Sequence, residues 1–511
     1  MLTSRASIEA PIVKGKTSFL LGGRTTYSDW ILRALPSNSN YAGGSANFND
    51  VNLGITHKFN DKHVIRAYAY WSGDRFSFSR DTSFRYNNLN VSLKYQGAVG
   101  DRSTLSVSGG YDSYGNRLYD SGIGKTPYEI NTAIAQGHLK AAFKTRLERH
   151  TLSYGLDALY IRLNPGTQAF SSGEGDLSLP LQTSVQPALY LSDLWEIGDR
   201  LSLDFGARFS SAYNPDDKSF HCAPEGRISL KYSPQSNFSL KAGFNNISQY
   251  IHLISNSSSI SPMDTWQLAC GKVKPLEGWQ AAGGVYWTVA GGALDISLEG
   301  YWKSTRNGLD YKSGAKLVMN GNLIDDLVNT RGKAYGAELM LRKPFGKLNG
   351  WISYTYSRTF LQEMTDRGIS TISGGKWYCA PYDKPHDLKV VANYEITHRF
   401  SFSANLDYST GRPVTIPTSK YYYGGEEKLL YTDRNAYRLP DYFRLDLAFN
   451  IEPTHRLKAF THASFTIGCY NVTGRKNAYS VYYNAAGSTV RGHMISVFAC
   501  PVPYVNLNLK F

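Results

Sequence analysis

The stretch FSFSANLDYS, residues 400–409, decides the fold. Phe400, Phe402, Ala404, Leu406 and Tyr408 alternate with Ser401, Ser403, Asn405, Asp407 and Ser409. A period of two puts successive side chains on opposite faces of an extended strand, here one apolar and one polar. The pattern recurs along the chain. Phe238, Leu240, Ala242 and Phe244 oppose Ser239, Lys241, Gly243 and Asn245. Leu294, Ile296, Leu298 and Trp302 oppose Asp295, Ser297, Glu299 and Lys303. Phe443, Leu445, Leu447 and Phe449 oppose Arg444, Asp446, Ala448 and Asn450, while Leu201, Leu203, Phe205 and Phe209 oppose Ser202, Asp204 and Arg208.

Short polar or Gly/Pro turns punctuate these strands at 11–15, 60–63, 100–103, 147–150, 197–200, 233–236, 290–293, 344–349, 396–399 and 452–456. The period is about 49 residues, long enough for two strands and one outer loop. Longer polar stretches lie between the turns, at 36–45, 117–126, 164–178, 255–264, 313–325, 361–382 and 415–439. Short turn, strand, long loop, strand describes an up-and-down meander. A half-buried sheet of a soluble sandwich or propeller alternates as well. Three features favour a membrane barrel: a polar face with small and charged residues, aromatic residues where strands meet loops, and loops that alternate short and long. Those aromatics are Tyr68, Trp71, Trp195, Tyr301, Trp302 and Trp351. The expected fold is all-β, a transmembrane antiparallel up-and-down β-barrel. Ten turns join twenty strands, and the segment from about Gly492 to Phe511 adds one, so 21 strands are visible of an expected 22, since such barrels have even strand numbers.

Composition agrees. The 511 residues are 42% hydrophobic, 19% charged and 14% aromatic, with 37 Tyr and 47 Gly, which argues against disorder and against a helical bundle. No apolar run is long enough for a membrane helix. Cys222, Cys270, Cys379, Cys469 and Cys500 are scattered without metal-site or disulfide spacing. The residues after Met1 lack the apolar core of a secretory signal. Tyr504 to Phe511 alternates strictly, with Val505, Leu507, Leu509 and Phe511 on one face, as a terminal strand read by the barrel-assembly machinery would.

Several stretches resemble one family of transporters. They are IEAPIVKGKTSFLLGGRTTYSDW (8–30), APEGRISLKYSP (223–234), QYIHLIS (249–255) and NTRGKAYGAELMLRKPFGKLNGWISYTYSRT (329–359). Further ones are KPHDLKVVANYEITHRFSFSANLDYSTGRPVTIP (384–417), LPDYFRLDLAFN (439–450) and CYNVTGRKNAYSVYY (469–483). In this order they are similar to TonB-dependent outer-membrane receptors that carry an N-terminal carboxypeptidase-regulatory-like domain. The resemblance implies a 22-stranded barrel in the outer membrane, active uptake of a nutrient (siderophore, cofactor, peptide or glycan), and partnership with the TonB complex. It also implies a plug inside the barrel. Residues 1–511 are expected to be barrel alone, without that plug, the TonB box or the first strand, and so not competent alone for TonB-driven uptake. A plugless porin-like passive channel is the alternative. A soluble all-β binding module and a barrel enzyme are the remaining rivals.

No GxSxG, HExxH or phosphate-loop pattern occurs, so no enzyme is expected. His386, in KPHDLKV, fits a strand-end hydrogen bond better than a catalytic or metal-binding role. No cofactor is expected. The net charge of +14 is spread along the chain without a stripe, which speaks against nucleic acid. Arg208, Lys241, Lys303, Arg358 and Arg444 are expected to face the lumen and pair with acidic groups of the plug. Basic outer loops are expected to face outer-membrane lipid and lipopolysaccharide, or an anionic ligand. Trp377, Tyr378, Tyr421, Tyr422 and Tyr423 lie beside Lys376 and Lys420, and an aromatic ring beside a cation suits ligand contact in the outer loops.

Overall fold

The computed structural model describes residues 3–26, 44–77, 81–121, 126–254, 265–312, 315–365, 370–423, 426–452, 462–486, 489–496 and 499–510. Among the described residues one sheet of 23 strands dominates. Two members are the two-residue pieces Leu177–Ser178 and Tyr378–Cys379. That leaves 21 long strands, from Thr3–Val13 to Val502–Lys510, each antiparallel to its sequence neighbours.

Nine of the ten expected short turns join strands as read, and the tenth, at 452–456, falls almost wholly outside the described residues. The outer connections depart from expectation. They are not uniformly long, since Leu201–Asn214 and Ser219–Gln235 are joined by only residues 215–218. Strands also overshoot the polar stretches read as loops: Ser103–Asp120 contains Arg117, and His150–Phe170 runs through Asn164. Above the membrane, water can hydrate both faces of a strand, so the ladder continues without an apolar face. The last strand begins at Val502 rather than near Gly492. Thr489–Ser496 pairs instead with Ala478–Ala486 as an outer hairpin.

Pairing register assigns every side chain to a face. Leu189, Leu191, Phe209, Leu298 and Ile352 stand on the outward face and are strongly exposed, as side chains that lipid covers should be. Trp71, Trp195, Trp279, Trp287 and Trp302 share that face. Tyr68, Tyr301 and Trp351 point inward, so only part of the expected aromatic girdle faces lipid. Among the described residues Thr3–Val13 pairs with Thr17–Thr26 alone and Val502–Lys510 with His462–Tyr470 alone. Being odd-numbered members of a meander, the two end strands run in the same direction. The buried apolar clusters gather where outer connections fold inward, and they position the candidate site.

Candidate functional site

Four outer connections meet at the mouth of the barrel. The one after Leu294–Tyr311 reaches across to the inner wall formed by Ser103–Asp120 and Tyr128–Arg146, eight and seven strands earlier in the meander. There Met319 and Ile130 form a buried apolar cluster, with Leu118, Tyr128 and Leu179 packed against it. The Met319 φ of 54° is a strained left-handed conformation for a residue with a Cβ, so the packing must hold it there. Gly166 faces the Met319 sulfur so closely that a Cβ would sit 2.6 Å from it.

The connection after Phe238–Gln249 forms a small hairpin, Ile251–Ile254 with Thr265–Leu268. It is seated by Leu268 on Ile161 and Leu163, with Ile134, Leu159 and Trp266 packed around them. Gln182 and the buried Gln267 exchange amide hydrogen bonds at 3.2 and 3.1 Å, and the Gln182 carbonyl also accepts the Leu268 N–H at 3.0 Å. Thr265 donates to the Leu317 carbonyl at 3.2 Å, tying this hairpin to the neighbouring connection. His252 is buried with Nε2 donating to the Lys274 carbonyl at 2.9 Å, and burial lowers its pKa.

Arg434 closes the other side. Its guanidinium donates to the Tyr311 carbonyl at 2.6 Å, lies 4.2 Å over the Tyr311 ring and approaches Asp310 at 3.8 Å. Its backbone N–H reaches Ser373 at 3.1 Å. The Tyr378 hydroxyl donates to Asp310 at 2.6 Å, and burial followed by the Asp310 carboxylate pushes its pKa up, so it stays a neutral donor. Apolar knobs and buried polar ties therefore interlock the connections into a crown over the lumen.

The expected site residues fall in several places. Tyr378 points inward into the crown, but its neighbour Trp377 stands on the outer wall, with Lys333 4.2 Å and Arg331 5.4 Å over its ring. Tyr421, Tyr422 and the backbone of Tyr423 form one strand of the hairpin Pro417–Tyr423 with Glu426–Tyr431. Adjacent residues of a strand face opposite ways, and both Tyr421 and Tyr422 are exposed. The Tyr423 side chain lies outside the described residues, as does Phe511. Val505, Leu507 and Leu509 share the outward face of the last strand, and all three are exposed.

Four of the five expected lumen cations do face inward. Arg208 makes paired bonds of 2.7 and 2.9 Å to Asp157 and lies 3.5 Å from Glu225. Arg444 is held by Asp446 two residues along, at 2.7 Å. Lys241 and Lys303 lie over Tyr286 and Tyr301 at 4.1 and 4.6 Å. Arg358 is a correction. It aligns with Tyr335 and with the outward series Ile352, Tyr354 and Tyr356, so it stands on the outer face. There the fully buried carboxylate of Asp383 takes Arg358 at 3.4 Å, Arg438 more closely, and the Thr359 N–H at 2.6 Å. Asp383, Arg434, Leu268 and Met319 were not singled out in the sequence. Asp383 lies just before the quoted KPHD motif, while the other three sit in aperiodic loops. His386 bonds the Tyr354 hydroxyl at 2.8 Å at the start of its strand, as read.

Known proteins share this architecture. The ferric-catecholate import receptor Fiu of E. coli K12 is 10% identical, with a TM-score of 0.66 over 99% of this chain and 79% of that one. The ferric yersiniabactin uptake receptor FyuA of Yersinia pestis is 13% identical, with a TM-score of 0.67 over 100% and 78%. The copper transporter OprC is 11% identical, with a TM-score of 0.68 over 100% and 79%. At such identities these likenesses establish the fold. A search of curated proteins found no match. The family model "TonB dependent receptor-like, beta-barrel" matches residues 17–472. The chain is therefore an integral outer-membrane β-barrel, a transporter rather than an enzyme, and it belongs to the TonB-dependent receptors.

Proposed function

We propose that this chain is the wall and crown of an active nutrient importer whose lumen is filled by a plug domain with an acidic face. The carrying observation is an inward lysine pair. Lys231 and Lys241 sit directly opposite each other on adjacent strands, with neither in an ion pair among the described residues. Like charges so placed repel, and an acidic surface inside the lumen would offset that repulsion. Lys303, also inward and without a carboxylate partner among the described residues, adds to the demand.

A further strand, antiparallel to both Thr3–Val13 and Val502–Lys510, would complete the barrel, because two strands running the same way cannot close an antiparallel meander. The same reading makes the crown the ligand-facing surface, and it takes a siderophore, cofactor, peptide or glycan as cargo. The likeness to import and uptake receptors for ferric chelates and to a copper transporter supports active uptake over passive diffusion.

The test uses the native polypeptide extracted from outer membranes. Mass spectrometry is expected to find peptides encoded upstream of Met1, and planar bilayers containing the protein should stay closed. A native chain starting at Met1 that conducts as an open pore would overturn the proposal and establish the passive channel.

A further inference from the structure

Register exposes a row of cations on the lipid side of the wall. Arg75 of His63–Ser77 pairs with Arg85 of Thr82–Val99, and Arg85 pairs with Arg117 of Ser103–Asp120. All three share the outward face with Trp71, Leu89, Val91 and Tyr111, and all three are exposed. Directly opposite residues have Cβ atoms about 5 Å apart, so the row spans about 10 Å.

Its height is fixed by the same ladders. Ile65, Tyr95 and Val107 form a lower outward row, and each lies ten residues along its strand from Arg75, Arg85 or Arg117. Ten residues at about 3.4 Å each, on strands tilted about 40°, rise about 26 Å, which matches the apolar band of about 25 Å on such barrels. The lower row is at the short-turn side and the arginines are at the long-loop side. They stand where the hydrocarbon of the outer leaflet gives way to its headgroups.

Three adjacent like charges repel, and elsewhere on the outward rim cations are met by the wall itself, Arg331 and Lys333 by the Trp377 ring and others by carboxylates. Arg306 is paired with Glu277, and Arg358 with Asp383. Within the row, Arg117 bonds Asn131 at 2.9 Å and approaches Glu129 at 3.2 Å. Arg75 and Arg85 have no carboxylate partner among the described residues. Asn47 lies opposite Arg75, and Asn87 lies outward two residues below Arg85, so polar donors flank the row. A guanidinium presents a planar fork of N–H donors that fits phosphate oxygens. An anion seated between neighbouring arginines would relieve their repulsion, and three in line could take two.

We propose that the Arg75–Arg85–Arg117 row binds the headgroup of an outer-leaflet lipid carrying more than one phosphate. It rests on the membrane-spanning orientation of the barrel but not on the plug, the crown or the cargo.

The test places native polypeptide in nanodiscs of zwitterionic lipid doped with diphosphoryl lipid A, and counts retained lipid by native mass spectrometry. A surface cation contributes about 1 kcal/mol toward anionic lipid, or about five-fold in affinity. R75Q/R85Q is therefore expected to bind about thirty-fold more weakly, while R85K, which keeps the charge but loses the planar fork, should fall between wild type and R85Q. Monophosphoryl lipid A should bind more weakly than the diphosphoryl form, and added salt should weaken both. Equal retention by wild type and R75Q/R85Q would overturn the proposal. So would full displacement by millimolar inorganic phosphate, which would make the row a site for free anion. Heat-modifiable migration on gels checks folding. If the double variant fails that check, R85Q against R85K carries the same comparison, whereas failure by the wild type would strike at the barrel itself.

Discussion

Replacing Asp383 with asparagine should unfasten the crown from the outer wall at one point. The carboxylate is fully buried and is shared by Arg358, Arg438 and the Thr359 N–H. Arg438 is further fixed by the carbonyls of Asp383 and Gly411, at 2.8 and 3.0 Å. Asparagine keeps the volume and one acceptor but removes the charge that both guanidiniums use. Breaking a buried pair by removing one partner costs about 3 to 5 kcal/mol. The arginine side chains keep 26% and 28% of their surface in water, so the lower figure applies. About 3 kcal/mol multiplies the local opening equilibrium by about 150. Amide hydrogen exchange reports it, because protection of a locally opening amide falls by the factor that opening gains. The Thr359 N–H, bound to Asp383, and the Ala380 N–H, bound to the Thr359 carbonyl at 3.0 Å, should exchange about 150-fold faster in Asp383→Asn. Asp441→Asn serves as the control, since Asp441 holds the Gly411 N–H and the Tyr408 hydroxyl instead. An acceleration under about five-fold at Thr359 and Ala380 would show that this carboxylate is not the fastening.

Acidification should loosen a different part of the crown. His252 has its pKa lowered by burial, so its hairpin is fully stable above the unfolded histidine value near 6.5 and loses stability as pH falls below it. Exchange in Ile251–Ile254, corrected for intrinsic rates, should rise between pH 7.5 and 5.5, and His252→Gln should flatten that dependence. Met319→Ala should cost about 3 kcal/mol of local packing and free the connection it seats, so trypsin should cut after Lys316 at least tens of times faster, with Met319→Leu close to wild type. In Gly411→Ala the new Cβ would sit 1.7 Å from the Leu439 carbonyl oxygen, a backbone atom with little room to yield. Proteolysis between 410 and 441 should increase while heat-modifiable migration persists.

Much of the wall was legible because a strand in a barrel has one variable, the face, and alternation reports it. Lys241 and Lys303 went to the lumen because Leu240 and Trp302 beside them are apolar. Arg358 was misplaced although the same rule applied: counting from Ile352 through Tyr354 and Tyr356 lands on it, above the apolar band, where a cation outside is no longer costly. Trp377 and Tyr378 were read as one cluster because they are adjacent, yet the strand piece Tyr378–Cys379 sends neighbours to opposite sides of the wall. The crown was not legible. Leu268 and Met319 sit in segments without periodicity, and their partners Ile161 and Ile130 are more than a hundred residues away, so no local pattern carries the pairing.

The placement of the apolar clusters divides the protein between two solvents. The wall turns Leu189, Leu191 and Phe209 toward hydrocarbon and relies on acyl chains to complete its packing. The crown seats Leu268 and Met319 on the inward face of the upper wall, against Ile161, Leu163 and Ile130, where no acyl chain reaches and packing is completed by protein alone. A thinner bilayer, a different acyl composition or a change of detergent should therefore act on the wall, and heat or urea on the crown. Such a molecule would lose its shape in two separate transitions, and lipid would shift only one of them.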